Sequence, residues 1–337
     1  MILVTGSAGF IGSNFVLDRC SRTSESVVSL DALTYAGNPT NLSELAGNPR
    51  HELVVGDICD ASLVRALLKR TRPRAVVHFA AQSHVDRSIA DPQAFLTTNV
   101  VGTATLLTCV RDWLGEEKDT SFVENFRFLH VSTDEVYGSL GLNDAPFTED
   151  SPLAPNSPYS ASKAAAEHVV HAWERTYGLK ATVARCSNNY GPRQFPEKLI
   201  PLVIARALAG RAIPIYGTGL NVRDWIHVED TCSALSLILE KGKAGRTYNV
   251  SAHQEVSNID LVRRICALVD AMRPAGAATE RLIEHVADRP GHDTRYAMST
   301  DRIESEIGWR PRIAFDEGIE KTVAWYLAHP EALSSAA

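Results

Sequence analysis

The sequence predicts a doubly wound α/β fold, in which helices cover both faces of a parallel β-sheet. Three observations lead to this prediction. The first half contains five short, almost continuous apolar runs, as expected of strands buried on both faces. Helix-like segments separate these runs, and a glycine-rich turn follows the first of them. This alternation is typical of βαβ units, and ligands bind such sheets beyond the carboxyl ends of the strands.

The elements follow in chain order. The strand candidates are "MILVTG", "SVVSLDA", "HELVVGD", "RAVVHFAA", "FRFLHVST" and a sixth in "KATVARCSNNYGP", which ends in a Gly-Pro stop. Helices are expected between them at 11–22, 61–70 and 93–114. A further helix begins in "SPYSASK", because Ser157 can cap it and Pro158 suits a first turn, and Gly178 can end it. The segment 138–158 is rich in Gly, Pro, Asn and Asp and reads as a long loop, and a loop of this length is usually functional or disordered.

After residue 190 the alternation weakens. The expected elements are helices at 197–210, 230–241, 258–271 and 316–328, and short strands in "IPIYG", "NVRDWIHVED" and "TYNVS". Loops are expected at 115–125, as a solvated insertion, and at 271–279, and the last residues should fray. We predict a dinucleotide-binding (Rossmann) domain over 1–187 with returns near 224–257. A smaller, interleaved substrate-binding domain is predicted over 188–223 and 258–330.

Composition narrows the class of protein. The 337 residues are 45% hydrophobic and 22% charged, which is ordinary for a globular protein. A net charge of −6 argues against broad nucleic-acid binding. The six cysteines form no CxxC pair and no metal-ligand spacing, so reduced thiols, a cytoplasmic location and no metal are expected. No uncharged apolar run is expected to reach the roughly 18 residues that a membrane span needs.

The first candidate site is the turn in "VTGSAGFIG". Gly6, Gly9 and Gly12 follow the first strand and lead into the first helix, where free N–H groups attract a pyrophosphate. The spacing is GxxGxxG, and a plain strand–turn–helix would also explain it. Asp31 ends the second strand, where a carboxylate can bind an adenosine ribose and repel a 2′-phosphate, so NAD is favoured over NADP. Asp57 has a similar place after the third strand, facing the adenine or serving only as a polar strand end.

The second candidate site lies on the helix of "YSASK". Tyr159 and Lys163 are four residues apart and therefore share one helix face. A tyrosine is a poor base at neutral pH, and a nearby ammonium and a positive nicotinamide would lower its pKa. Tyr159 can then take a hydroxyl proton while hydride leaves the same carbon, and Thr133 at a strand end can bond the same oxygen. A surface helix would also explain an isolated YxxxK match.

Together these residues resemble the extended short-chain dehydrogenase/reductase family, which binds NAD and acts on nucleotide sugars. "STDEVYG" (132–138) is similar to the same stretch in the dTDP-glucose 4,6-dehydratase branch. The segments that also match that branch are "LTYAGN" (33–38), "HFAAQSHVDRS" (78–88), "TNVVGT" (98–103), "NNYGPRQFPEKLIP" (188–201), "NVRDWIHVEDT" (221–231) and "DRPGHDTRY" (288–296). The likeness therefore runs through nearly the whole chain.

A 4,6-dehydratase explains why two carboxylates follow Thr133. Once C4 of a hexose is oxidised, the proton on C5 becomes acidic and a base must remove it. An acid must also protonate the departing 6-hydroxyl. We assign Asp134 as this acid and Glu135 as this base, which requires environments that separate their pKa values.

The resemblance also implies a role for individual positions. Catalysis is assigned to Thr133, Asp134, Glu135, Tyr159 and Lys163. NAD contacts are assigned to Gly6, Gly9, Phe10, Ile11, Gly12, Asp31, Thr34, Asp57, Ile58, Ala80, Ala81, Ser83, Thr98, Tyr159, Lys163 and Asn189. Sugar-nucleotide contacts are assigned to His84, Thr133, Asn188, Lys198, Leu199, Pro214, Tyr216, Arg223, Asn258, Arg289 and His292. Of these, Lys198, Arg223 and Arg289 have the charge that a diphosphate requires.

Several alternatives remain open at this stage. UDP-glucose would undergo the same chemistry. An NAD-dependent 4-epimerase would leave Asp134 and Glu135 without a task, and a non-catalytic NAD-sensing module would not need Tyr159 and Lys163.

Gln82 stands where the branch commonly has Glu, and Arg193-Gln194 replace a more usual Tyr-His or Tyr-Gln. The resemblance implies a homodimer built on helices 93–112 and 159–177, although internal packing would explain the same apolar faces.

Overall fold

The computed structural model describes residues 1–273 and 278–334. Part of the predicted loop 271–279 and most of the C-terminal tail lie outside these residues. Within the described residues the strands are β1 Ile2–Thr5, β2 Val27–Asp31, β3 His51–Val55, β4 Ala75–His78, β5 Arg127–Thr133, β6 Ala181–Cys186, β7 Asn188–Tyr190, β8 Ile213–Tyr216, β9 Val222–His227, β10 Thr247–Val250, β11 Glu255–Ser257 and β12 Ile283–Val286.

The same residues form twelve α-helices and several shorter helical turns. The α-helices are α1 Phe10–Arg22, α2 Ala61–Thr71, α3 Val85–Ala90, α4 Pro92–Phe95, α5 Thr103–Glu116, α6 Thr120–Asn125, α7 Pro158–Tyr177, α8 Leu199–Ala209, α9 Val228–Lys241, α10 Asn258–Met272, α11 Asp301–Ile307 and α12 Phe315–Ala328. The 3₁₀ turns are Pro39–Leu45, Asp134–Tyr137, Thr279–Leu282 and Pro330–Leu333, and a π-helix spans Leu96–Gly102.

A seven-stranded parallel sheet forms the centre of the described structure, in the order β10-β6-β5-β4-β1-β2-β3. Separate apolar clusters pack against its two faces, which is the doubly wound arrangement that the sequence predicts. The strand order reverses between β1 and β4, and ligands bind such sheets at this crevice. The predicted fold class is therefore confirmed.

One predicted strand differs in its environment. β3 is the edge strand, its residues are only partly buried, and Val55 is 61% exposed. The expectation of burial on both faces was wrong here, because an edge strand has a neighbour on one side only.

A second apolar cluster lies beyond the central sheet, around α8, α10 and α12. Two small sheets accompany it: β11-β9-β7 and β12-β8. The chain returns to the central sheet through β10, whereas β9 pairs with β7 and β11. The predicted two-domain division stays a prediction.

The catalytic helix α7 begins where the sequence predicts. The Ser157 hydroxyl accepts the Ser160 N–H at 3.1 Å, and the Ser160 hydroxyl accepts the Ser157 N–H at 3.0 Å, which makes a reciprocal capping box. Gly178 ends the helix with a φ of +69°, in the left-handed region that glycine favours.

The predicted helix 93–114 is interrupted by the π-helix Leu96–Gly102. By length and composition, the run Pro92–Glu116 is apolar enough to cross a membrane, contrary to the sequence-based expectation. However, 44% of its most apolar window is buried inside the protein, and the run packs against α2 and α7. Its apolar residues therefore belong in large part to the core.

Candidate active site

A cavity of about 320 Å³ opens along the carboxyl ends of the central strands. All the residues predicted to bind NAD line this cavity. They are Gly6, Gly9, Phe10, Ile11, Gly12, Asp31, Thr34, Asp57, Ile58, Ala80, Ala81, Ser83, Thr98, Tyr159, Lys163 and Asn189. The cavity therefore gathers positions from seven separate segments of the sequence.

The glycine turn allows close backbone packing at one end of this cavity. Gly6 has a φ of +69°, and a Cβ added there would lie 2.5 Å from the Ala80 nitrogen, so a side chain does not fit. Helix α1 begins at Phe10, and its N-cap residue Gly9 makes no side-chain capping bond. The N–H groups of the first turn therefore remain available to an anion such as a pyrophosphate.

Asp31 lies at the end of β2 and is 7% exposed. One carboxylate oxygen accepts the Ala8 N–H at 2.8 Å, and the other accepts the Leu33 N–H at 2.8 Å. These bonds fix the carboxylate in the cavity wall. Each oxygen keeps a second lone pair, so the group can still accept ribose hydroxyls.

Strand β5 leads directly into the two acidic residues. It ends at Thr133, and the 3₁₀ turn Asp134–Tyr137 follows at once. The Thr133 hydroxyl donates to Asp134 Oδ1 at 3.2 Å and accepts the Glu135 N–H at 3.3 Å. One hydroxyl thus fixes the turn that presents both carboxyl groups to the cavity.

The two carboxyl groups have different electrostatic surroundings. Asp134 is 2% exposed, and burial raises its pKa well above the ordinary value, with the charges of Glu135 and Asp224 adding to the shift. Burial also raises the pKa of Glu135, but Arg289, Arg223 and Lys198 oppose that shift. The arrangement favours a protonated Asp134 beside a more readily ionised Glu135.

Tyr159 and Lys163 both face this cavity from α7. Burial raises the pKa of the Tyr159 phenol well above its ordinary value; Glu135 adds to the shift, and a hydrogen bond with Thr133 opposes it. Burial lowers the pKa of Lys163 to about 8. The Lys163 ammonium donates to the Val131 carbonyl at 2.8 Å.

In this arrangement burial is the largest influence on the Tyr159 phenol and holds its pKa above the ordinary value. The expected lowering of that pKa by Lys163 and a bound nicotinamide stays a prediction.

A second cavity of about 250 Å³ adjoins the first and shares Glu135, Asn188, Asn189 and Lys198 with it. Most of the predicted sugar-nucleotide residues line it: His84, Asn188, Lys198, Leu199, Pro214, Tyr216, Arg223, Asn258 and Arg289. Thr133 lines the first cavity instead. His292 lines neither cavity, and its Nδ1 is bonded to Asp288 at 2.6 Å.

The three predicted phosphate-binding cations approach this second cavity. Arg223 is 4% exposed, donates to the Asp293 carbonyl at 2.9 Å and lies 4.2 Å from the centre of the Tyr296 ring. Lys198 donates to the Ser83 carbonyl at 2.8 Å. The buried Arg289 Nε has no hydrogen-bond partner. An anionic ligand would satisfy such groups.

The departures from the family pattern fall in different places. Gln82 and Gln194 line the first cavity, whereas Arg193 points away from it to pair with Glu44. The buried Gln194 Oε1 has no hydrogen-bond partner, so it is free to meet a ligand.

Sequence reasoning missed several wall residues: Tyr35, Phe195, Glu197, Trp225 and Tyr296. All five lie inside motifs quoted above, and that position was the one available signal. For the described residues, no group of three or more His, Cys, Asp and Glu side chains has metal-binding geometry.

The fold and the site define a class of protein: an NAD-binding short-chain dehydrogenase/reductase that acts on nucleotide sugars. The chain belongs to the family described as GDP-mannose 4,6 dehydratase, whose model matches residues 3–322.

Its relatives narrow this class. A dTDP-glucose 4,6-dehydratase of Xanthomonas campestris pv. campestris is 56% identical over 97% of this chain and 93% of that protein. The predicted resemblance to the dTDP-glucose 4,6-dehydratases is therefore confirmed.

Solved structures agree with this assignment. A double mutant of a dTDP-glucose 4,6-dehydratase from Streptomyces venezuelae, with NAD and DAU bound, has a TM-score of 0.91 and 43% identity over all of both chains. A UDP-glucose 4-epimerase from Thermotoga maritima with UDP-glucose has a TM-score of 0.84 and 28% identity, covering 98% of this chain and 99% of that one. The fold is thus shared with a UDP-glucose 4-epimerase.

Proposed function

We propose that this chain converts dTDP-glucose to dTDP-4-keto-6-deoxyglucose by NAD-mediated dehydration. The observation that carries the proposal is the placement of Asp134 and Glu135 side by side in the wall that also holds Tyr159. Burial raises the pKa of both groups, and Arg289, Arg223 and Lys198 oppose the shift at Glu135, so Asp134 holds a proton more firmly than Glu135 does. A 4-epimerase has no use for such a pair.

The residues of α7 and β5 serve the oxidation at C4. Tyr159 takes the proton of the 4-hydroxyl, and Thr133 bonds the same oxygen and holds it toward the phenol. The Lys163 ammonium, held by the Val131 carbonyl, supplies positive charge on the same helix face. NAD, when bound in the first cavity, accepts hydride from C4 and later returns it to C6.

The acidic pair serves the elimination across C5 and C6. Glu135 removes the proton from C5, which the adjacent C4 ketone has made acidic. Asp134 donates its proton to the 6-hydroxyl, which leaves as water. Hydride then returns to C6, and Glu135 gives a proton that has exchanged with solvent back to C5. No cofactor is therefore consumed, and the site has reason to hold it tightly.

Isotope transfer tests the sequence of steps. Substrate that carries deuterium at C4 is converted in H₂O, and unlabelled substrate is converted in D₂O. We expect the C4 label at C6 of the product in the first case and solvent deuterium at C5 in the second. Absence of either label would refute the mechanism.

Substrate choice is tested separately. We expect a higher kcat/KM for dTDP-glucose than for UDP-glucose. A preference for UDP-glucose would keep the mechanism and reject the named substrate. A 4-epimerase would release the C4 epimer with its 6-hydroxyl intact, and the variant Glu135→Gln would then keep its activity.

We also propose that the chain forms a homodimer. Leu96 and Val101, on the helical run Pro92–Glu116, are 44% and 55% exposed, and Tyr177 at the end of α7 is 50% exposed. Burying this surface in a dimer would remove it from water. The variant Val101→Glu should sediment as a monomer, whereas the control Leu220→Glu, at a residue 63% exposed elsewhere, should sediment like the parent. A dimeric Val101→Glu would argue for another interface.

We propose a cytoplasmic location because of the state of the cysteines. All six are free thiols, and five of them are buried. Such usage fits a reducing compartment. Fractionation of cells that express the protein at native level would test this location, and recovery with a secreted or membrane fraction would contradict it.

A further inference from the structure

A buried polar network lies directly behind the acidic pair and the catalytic helix. Arg185 on β6 and Glu167 on α7 form an ion pair whose side chains are 5% and 1% exposed. Arg185 Nε lies 2.9 Å from Glu167 Oε2, and its Nη2 lies 2.6 Å from the same oxygen. The remaining Nη1 donates to the Tyr137 hydroxyl at 2.7 Å.

The Tyr137 hydroxyl continues the network. It donates to Asn249 Oδ1 at 2.8 Å, and the Tyr137 ring stacks on Phe147 with a centroid distance of 4.8 Å. Tyr137 is the last residue of the turn that carries Asp134 and Glu135, and the mechanism gives it no role.

The three side chains join the elements that hold the reacting groups. Glu167 follows Lys163 by one helical turn and Tyr159 by two, so it lies on the same face of α7. Arg185 precedes Cys186, which lines the first cavity. None of Tyr137, Glu167 and Arg185 lines either cavity, so the network does not touch the substrate.

We propose that Arg185, paired with Glu167 and bonded to Tyr137, is a positioning residue that fixes the acid–base turn against the catalytic helix. The proposal rests on the dehydratase function. Oxidation at C4 and elimination at C5–C6 require Tyr159 and Glu135 to reach neighbouring carbons of one bound sugar. The planar guanidinium fork holds both elements in one relative orientation.

Two further observations support this role. A buried ion pair is a weak source of stability, because the cost of removing both charges from water offsets their attraction. Stability alone therefore does not account for the pair. In addition, the Glu167 charge opposes the effect of burial on Lys163 and so helps to keep that ammonium protonated.

The first test removes the Tyr137 hydroxyl, which ends the link between Arg185 and the turn and also the bond to Asn249, and it leaves the ion pair in place. In Tyr137→Phe we expect kcat to fall by about tenfold or more while KM stays within about twofold, because a displacement near 1 Å can cost about 100-fold. Elimination should slow more than oxidation, so reduced cofactor should accumulate in a single turnover.

The matched control is Tyr248→Phe. Tyr248 is also fully buried, and its hydroxyl accepts the Lys243 N–H at 3.1 Å and donates to Glu306 at 3.1 Å, outside both cavities. The variant Tyr248→Phe should lower the melting temperature about as much as Tyr137→Phe does, but leave kcat unchanged. Equal effects of the two variants on kcat would overturn the proposal.

The second test removes both charges together, in Glu167→Leu with Arg185→Met. We expect a folded enzyme of similar melting temperature whose kcat is reduced about 100-fold with little change in KM. Full kcat in this folded double variant would overturn the proposal. If the double variant does not fold, Tyr137→Phe, which leaves the ion pair intact, decides the question. If the parent does not convert dTDP-glucose, the proposed function fails instead.

Discussion

The substitution Asp134→Asn separates the chemical role of this residue from its cost to the fold. An asparagine has nearly the same shape, and its carbonyl can accept the Thr133 hydrogen bond that Asp134 Oδ1 accepts now. The buried Oδ2 has no hydrogen-bond partner to lose. The substitution therefore removes the transferable proton and leaves the packing in place.

Activity and stability should then move in opposite directions. Loss of a general acid typically costs about 10²- to 10⁴-fold, so we expect kcat to fall by that factor while oxidation at C4 persists. The folded-state pKa of Asp134 is raised above the ordinary 3.8. The stability that its proton gives is full below that value and is lost as pH rises through the folded-state pKa.

The asparagine has no such pH dependence. The free energy of unfolding of Asp134→Asn should therefore exceed that of the parent by an amount that grows above about pH 4, at up to about 1.4 kcal/mol per pH unit. Urea denaturation of both proteins at about pH 4 and about pH 7 measures this difference. An identical pH dependence would refute the raised pKa, and an unchanged kcat would refute the assignment as the acid.

Three further predictions concern other parts of the site and its scaffold. Glu135→Gln should lower kcat by about 10²- to 10⁴-fold and abolish solvent deuterium at C5, measured by NMR of the sugar; continued exchange would identify another base. Arg289→Ala should raise KM for the sugar nucleotide by roughly 10- to 100-fold, because a charge-assisted hydrogen bond is worth about 1.5–3 kcal/mol; an unchanged KM in steady-state assays would place the diphosphate elsewhere. Ser157→Ala should cost about 1 kcal/mol of unfolding free energy through the lost cap of α7, measured by urea denaturation; an unchanged midpoint would show that the cap adds nothing.

The central sheet could be predicted from the sequence because its strands are apolar runs with turn signals between them. Two of the short strands could not be predicted as separate elements. Asn188–Tyr190 and Glu255–Ser257 are three residues long and partly polar, and they exist because both pair with Val222–His227. Pairing between distant segments leaves no local pattern.

The site residues also divide into those that the local sequence indicates and those that depend on the fold. The local sequence pattern indicates the roles predicted for Gly6, Asp31 and the Tyr159–Lys163 pair. The local sequence does not show where His292 lies relative to the cavities, although its ring bonds to Asp288 only four residues away. The pKa difference within the acidic pair also depends on distant residues, since Arg289 and Lys198 approach Glu135 only in the folded chain.

The π-helix Leu96–Gly102 has a consequence for how this chain can vary. Within it, the Asn99 side chain accepts the Gln82 N–H at 2.8 Å and donates to the Ser162 hydroxyl at 2.8 Å, so it ties a cavity-lining segment to α7. Deleting one residue from this segment would return it to an ordinary α-helix. The residues before the deletion would then rotate by about 100° about the helix axis relative to the residues after it. Thr98 would then leave the first cavity, while Thr103 would keep its bond to His78. We therefore expect this seven-residue segment to tolerate exchange of side chains far better than any change in its length.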